Sequence, residues 1–269
     1  RIVDDGSTDY PEEYLSELCR LEKVTFLTKP NSGLPDSRNF GVRYTTSDYV
    51  ILLDIDDTIS RNGLSKAIQQ QKCDADIIRC YCWYEREHTY LDAFLILKSY
   101  FKLSFDPVGS QLMSKIHYNN YITTPGSLIF KREVLQNEKF NVFLTIGEDW
   151  EYFVRSFSKF HVISVKVFLV NYLVVSNSMS ENQANNQKKL QSLCDALSES
   201  FAVNYPYRNI NKYRLGLTLH FELASIQRHA KKLTLSKIIK SYLELFKKYR
   251  HDYKTILVSC VKSLARKVI

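Results

Sequence analysis

The sequence predicts an α/β fold: a mixed, mostly parallel sheet flanked by helices, followed by a C-terminal helical region of different character. Three observations predict it. Strand-like and helix-like segments alternate through the first half of the chain, the signature of a parallel sheet with crossover helices. Several strand-like runs end in short acidic turns, where open α/β sheets bind ligands. Beyond about residue 181 the strand pattern stops and the charge changes sign. From Arg208 to Ile269 there are 15 Lys/Arg against 3 Asp/Glu, in a chain whose totals are 37 and 29. An acidic domain at 1–181 and a basic, mostly helical region at 182–269 are therefore expected.

Taken in order, Ile2-Val3 reads as a strand end. Pro11 to Cys19 reads as a helix with proline at its start and Glu12 and Glu13 in its first turn. Val24 to Leu27 is strand-like, and Pro35 to Tyr44 suits a helix. Tyr49 to Leu53 is a short apolar run of buried-strand character. Leu64 to Gln71 is helical and Asp76 to Trp83 a strand. Thr89 to Tyr118 is helical or irregular. Ser127 to Lys131 reads as a strand, Asp149 to Ser158 as a helix and Val162 to Val175 as a long strand. Polar Asn182 to Lys189 links this domain to the helices that follow.

Composition excludes several classes. Hydrophobic residues at 45% and charged residues at 25% describe an ordinary globular chain. Cys19, Cys73, Cys80, Cys82, Cys194 and Cys260 form no C-x-x-C pair and stand near no histidine cluster, which argues against zinc. Cys80 and Cys82, two apart, read as small apolar residues on one strand face, and reduced thiols are expected. No run is long and apolar enough to span a bilayer. No nucleic-acid-binding motif accompanies the positive charge.

Four stretches carry chemistry. Val3-Asp4-Asp5-Gly6-Ser7 follows a strand end, where a carboxylate can accept from a nucleobase imide or ribose hydroxyl; an Asp/Gly/Ser turn capping the next helix is the plainer reading. Pro30-Asn31-Ser32-Gly33 feeds a helix that presents Arg38 and Asn39, with Arg38 suited to a phosphate or an acidic neighbour. Leu53-Asp54-Ile55-Asp56-Asp57 places three acids after an apolar strand. Divalent cations of the Mg²⁺ type take one or two carboxylates and complete their shell with phosphate and water. Side-chain alternation in an extended segment would put Asp54 and Asp56 on one side. Finally, Gly147-Glu148-Asp149-Trp150 opens a helix with two acids, comfortable there electrostatically and available as a general base.

In this order the four stretches resemble the inverting glycosyltransferases of family 2, whose pattern runs VDDGS, N-x-G…ARN-x-G, LD-x-DD and ED. Here those are Val3 to Ser7, Asn31 to Gly41 with Ser37 in place of alanine, Leu53 to Asp57 with Ile55 inside, and Glu148-Asp149. Ser127 to Leu135 and Asn177 to Ser180 are similar to two further family segments. The resemblance covers about Arg1 to Glu181. It implies the GT-A fold, a Rossmann-like architecture of nucleotide-diphospho-sugar transferases. It also implies a divalent metal, Mn²⁺ or Mg²⁺, and a UDP-sugar donor. Asp4 and Asp5 would contact the uracil or ribose, Gly33 and Arg38 would sit by the nucleotide, and Asp54 would meet the ribose. Asp56 would hold the metal with Asp57 in support. Asp149, with Glu148 beside it, would take the proton from the hydroxyl of a saccharide or lipid-linked acceptor. The pathway implied is bacterial surface polysaccharide synthesis in the cytoplasm. Because the family pattern starts with an apolar strand, a loop and a helix, roughly thirty residues, one strand–helix unit, are expected ahead of Arg1.

Two alternatives stay open at this level. Leu53-Asp54-Ile55-Asp56-Asp57-Thr58 also fits the first motif of haloacid-dehalogenase-like phosphatases, with Asp54 as a nucleophile. An inactive transferase-like binding module is the other. In the basic tail, Ile238, Ile239, Tyr242, Leu243 and Phe246 recur as one apolar helical face among lysines. That face suits either an anionic membrane at the inner side of the cell or packing on a neighbouring element.

Overall fold

The computed structural model describes residues 1–9, 17, 20–70, 74–86, 93–174, 187–230 and 233–249. The helix expected at Pro11–Cys19 lies almost wholly outside them. So do the segment at Asn177–Ser180, most of the link at Asn182–Lys189, and the tail from residue 250. The chain forms two compact units, Arg1–Ser178 and Met179–Ile269.

The first unit is built on two sheets. Strands β1 (Ile2–Asp4) and β2 (Phe26–Thr28) pair in parallel, Ile2 opposite Phe26 and Asp4 opposite Thr28. Helix α1 (Leu34–Arg43) packs on β1. The second sheet contains β3 (Tyr49–Val50), β4 (Thr58–Ile59), β5 (Ile77–Arg86), β6 (Leu128–Lys131) and β7 (Val162–Val174) in the order β3-β6-β5-β7-β4. Only β5 and β7 run parallel there; β3–β6, β5–β6 and β4–β7 are antiparallel. The sheet is mixed, as expected, but within it the antiparallel pairs outnumber the parallel one. Alternation of element types is a local signal, whereas strand direction depends on which partners the chain meets in space.

The two long central strands carry the core. Ile77 to Cys82 are buried along β5, which is covered on both faces, and their neighbours Val165, Val167, Leu169 and Val170 on β7 complete the cluster. Cys80, Cys82 and Cys194 are buried free thiols, as expected of small apolar fillers. Helix α2 (Gly63–Gln70) packs on β7 and α3 (Ala93–Phe105) on β5. Helix α4 (Gly109–Lys115), α5 (Arg132–Asn137) and α6 (Glu148–Phe157) complete the unit. Buried Arg79 braces its middle by donating to the carbonyls of Pro107 (2.7 Å) and Tyr121 (3.2 Å) while pairing with Asp106 at 2.9 Å.

The second unit contains α7 (Gln187–Asn204), α8 (Ile210–His229) and α9 (Leu235–Lys248). Asn209 and Thr234 cap α8 and α9 by accepting from the amides of Lys212 and Lys237. Phe201 stacks on Tyr213 between α7 and α8 at 3.9 Å. The single apolar face expected on α9 is divided: Ile238 and Tyr242 are buried against Leu219, Leu223 and Ala230, while Ile239 and Leu243 are exposed beside Lys237, Lys240 and Lys247. Among the described residues no helix is long and apolar enough to cross a membrane.

Candidate active site

The acidic triplet is positioned by what stops its strand. The apolar run from Tyr49 keeps ladder pairing only to Val50; Ile51 to Leu53 continue extended alongside the 3-10 turn Pro125–Ser127. Gly126 allows that approach, since a Cβ there would sit 3.3 Å from Leu53 Cδ1 and 3.4 Å from the Leu52 carbonyl oxygen. The neighbouring Thr124 is thereby brought to Asp54, donating to its Oδ2 at 3.2 Å.

After Asp54 the chain turns rather than continuing extended, and the Asp57 amide donates to the Asp54 carbonyl at 3.1 Å. The expected alternation of Asp54 and Asp56 on one side of a strand is therefore corrected. Ile55 is thrown fully into solvent (102% exposed), Asp56 is exposed, and Asp57 points inward (5% exposed). Asp57 Oδ1 accepts from the Leu173 amide at 3.3 Å and its Oδ2 is buried with no hydrogen-bond partner among the described residues. Burial, reinforced by the charges of Asp54 and Asp56, pushes the Asp57 carboxyl up to about 6.

Arg38 connects this turn to the second acidic motif. Its guanidinium pairs with Asp54 Oδ1 at 2.9 Å and with Glu148 Oε1 at 3.1 Å, lies over Phe140 at 5.4 Å, and leaves the residue only 8% exposed. Asn39, next in α1, accepts from the Phe140 amide and donates to the Phe140 carbonyl, both at 2.9 Å. Consecutive residues of one helix thus hold both ends of the loop that runs from Phe140 to Glu148.

Glu148 and Asp149 open α6, and Asp149 Oδ1 accepts from the Trp150 amide at 2.6 Å. The back of this helix is anchored separately. Trp150 Nε1 donates to the Ile116 carbonyl at 2.6 Å, and Arg155 pairs with Glu151 at 2.8 Å and with Glu138. Asp149 keeps part of its surface open but is densely surrounded by protein, so it is dehydrated yet reachable. Burial, then the charge of Glu148, raises its carboxyl to about 7; Arg38 acts in the opposite sense.

Asp4 and Asp5 make their hydrogen bonds outside this cluster, to residues of their own turn and of the loop before α1. Asp4 is a turn former, accepting from the Ser7 amide (3.1 Å) and hydroxyl (2.5 Å). Gly6 in that turn has φ 80°, and a Cβ on it would lie 2.8 Å from the Asn31 amide nitrogen. Asp5 braces the loop that leads into α1, accepting from the amides of Ser32 (3.0 Å) and Gly33 (2.8 Å) and pairing with Lys29, which also meets Asp36 at 3.1 Å. Burial raises the Asp5 carboxyl, but the hydrogen bonds from Lys29, Ser32, Gly33 and Ser37 together outweigh it and hold the group below its ordinary value.

The cluster therefore unites Arg38, Asp54, Asp56, Asp57, Glu148 and Asp149, and leaves Asp4, Asp5 and Gly33 as the scaffold of the adjoining loop. Sequence reading singled out neither Thr124, Lys29 nor the clamping role of Asn39. Asn39 lay inside a quoted motif and Lys29 directly before it, so proximity was a usable signal; Thr124 had none.

Residues 2–138 match the model of glycosyl transferase family 2, more than half of the chain. The chain belongs to that family. An uncharacterised glycosyltransferase of Methanocaldococcus jannaschii is 23% identical over 195 residues, covering 70% of this chain and 63% of that protein. The glycosyltransferase GlyG of Streptococcus pneumoniae is 31% identical over 80 residues, 29% of this chain and 27% of its own length. This family 2 chain thus spans just under two thirds of the first relative and a smaller part of the second. Among solved structures, S. aureus TarS in complex with UDP-GlcNAc is 15% identical with a TM-score of 0.56, covering 87% of this chain and 67% of that one. The fold of the family 2 chain is GT-A. The phosphatase reading of Asp54 falls away: its motif lies inside the matched segment, and the carboxylate is already engaged by Arg38 and Thr124.

Proposed function

We propose that this chain transfers a sugar from a nucleotide-diphosphate sugar, a UDP-sugar, to a saccharide or lipid-linked acceptor with inversion. One observation carries the reading: Arg38 ties the acidic turn to the helix that bears Asp149, so a leaving-group site and a base share one centre. In the reaction, Asp149 accepts the proton of the acceptor hydroxyl. The oxygen forms its bond to the anomeric carbon while the bond from that carbon to the diphosphate oxygen breaks, and UDP departs. A carboxyl raised to about 7 suits a base working near neutrality. Arg38 orients Glu148 and Asp54, and the loop braced by Asp5 and Gly33 forms the nucleotide side.

The acidic turn suits a hard divalent cation, Mn²⁺ or Mg²⁺. Asp57 Oδ2 is buried with no hydrogen-bond partner among the described residues, beside two further carboxylates, and their mutual repulsion would be relieved by positive charge. Asp56, exposed at the turn, would hold it, with Asp54 and Asp57 in support. Among the described residues no group of three His, Cys, Asp or Glu gathers as a metal site by itself. A bound ion would supply positive charge against the departing diphosphate, with phosphate and water completing its shell. Synthesis of a surface polysaccharide, at the cytoplasmic face of a membrane, is the setting we favour.

The test pairs transfer with binding. With UDP-sugar and Mn²⁺, Asp149→Asn should lower acceptor-dependent UDP release by about 10³-fold, the scale of a lost general base. UDP affinity by calorimetry should stay within a factor of about 3, under half a power of ten. Equal loss of both would make Asp149 structural and sink the reading.

A further inference from the structure

One cluster beside the acidic turn has more positive charge than its surroundings balance. Lys98 and Lys102 lie one turn apart on α3 and both face Tyr84: Lys98 Nζ is 3.9 Å from the ring centroid and Lys102 Nζ 5.9 Å. Lys102 donates to Thr123 Oγ1 at 3.2 Å, and the same oxygen is 2.6 Å from the Tyr84 hydroxyl. The available carboxylate is Asp106, and Arg79 holds it at 2.9 Å while Lys102 stands at 3.9 Å. Lys98 meets no carboxylate among the described residues. Two cations, Arg79 and Lys102, therefore share Asp106 and Lys98 adds a third positive charge, in a place where burial, and for Lys98 the neighbouring ammonium, hold both lysines below their ordinary range.

The position of this excess is informative. Thr123, which touches Lys102, is followed directly by Thr124, which touches Asp54. Thr124 is extended, so the two side chains leave the backbone on opposite sides and the cationic and acidic groups flank one stretch of chain; buried Cys82 feels the charges of both Asp57 and Lys102. Tyr172 closes the gap from the other side. Its ring is 5.6 Å from Tyr84, and its hydroxyl, raised mainly by burial, also feels the charges of Asp57, Asp56 and Asp54. On this helix Lys102 has an acid at i+4, Asp106 at 3.9 Å, which Arg79 already holds at 2.9 Å, while Lys98 pairs with no carboxylate among the described residues. Two like charges kept over one aromatic ring, with Lys102's side chain 25% exposed, form a half-built anion cradle.

We propose that Lys98 and Lys102 form a phosphate-binding subsite adjoining the acidic turn. The inference rests on the transfer reading only for what brings the phosphate. It belongs either to the diphosphate of the donor or to a phosphate carried by the acceptor, and the two sources are separable. In the full chain, inorganic phosphate should shift the lysine Cε resonances of Lys98 and Lys102 and raise the pH at which both titrate. Lys98→Met together with Lys102→Met should weaken phosphate at least tenfold by calorimetry and flatten its salt dependence, while Lys→Arg at both positions retains binding. If UDP weakens in parallel, the subsite serves the donor. If UDP affinity holds while phosphate and glycerol 3-phosphate are lost, it serves the acceptor.

Phosphate binding that is unchanged in the folded double variant, or absent from the native chain at millimolar concentration, overturns the subsite. Should the double variant fail to fold, the resonances of the native chain decide alone. A chain that binds phosphate at these lysines but never UDP would overturn the transfer reading and leave the subsite standing.

Discussion

At the scale of single residues, the site is governed by where charge is buried and what answers it. Asp149 is raised to about 7 chiefly by burial and by Glu148, with Arg38 opposing. As a base it works only when deprotonated, so kcat/KM should rise with pH through about 7 and level above it. Removing the opposing cation by Arg38→Met should move that acidic limb to higher pH, measured on whatever activity remains. Stability should run the other way. A carboxyl whose folded value lies above its unfolded one binds more protons when folded, so its contribution is fullest at low pH and is lost as pH rises through about 7. Denaturant titrations should therefore find Asp149→Asn gaining on the native chain above neutrality, a trade of stability for a working base.

At the scale of elements, α1 does more than its length suggests. The loop that leads into it is held by Asp5, from the turn after β1, through the amides of Ser32 and Gly33. The second turn of α1 holds the 140–148 loop through Arg38 and Asn39. Asn39→Ala would leave a buried amide and a buried carbonyl of Phe140 without partners. We expect a loss of about 2–4 kcal/mol in urea denaturation, with Asn39→Asp recovering only the half that accepts a hydrogen bond. Helix α6 is secured independently by Trp150 and Arg155, so the same variant should reduce transfer less than it reduces stability.

Over the whole molecule, the net charge of +8 is concentrated in the second unit. Helix α9 spends part of its apolar surface on α8, tied further by Lys248 to Glu222 at 2.6 Å. Ile239 and Leu243 remain exposed among Lys237, Lys240 and Lys247, an arrangement suited to the surface of an anionic bilayer. The chain should co-sediment with phosphatidylserine vesicles at low salt and release as ionic strength approaches about 0.15 M, where the Debye length is near 8 Å. Charge reversal at Lys237, Lys240 and Lys247 should abolish it. Equal binding to neutral vesicles, or none to either, would remove membrane contact from the account.

The amino-acid sequence by itself determined the element types around the site and the residues that bear its chemistry. Periodicity, proline and glycine placement and short acid-rich turns are local, and α1, α2, α6 and β7 lie within a residue or two of where the pattern puts them. Tertiary structure alone decided the rest. It turned β6 antiparallel to β5, stopped β3 at Val50, and bent Asp54 to Asp57 into a turn. It also brought Arg38 to Glu148 across 110 residues and lysines of α3 to the neighbour of Thr124. Those outcomes depend on which surfaces meet after the chain folds back, and on charges whose partners are chosen by proximity in space. No window of local sequence contains either.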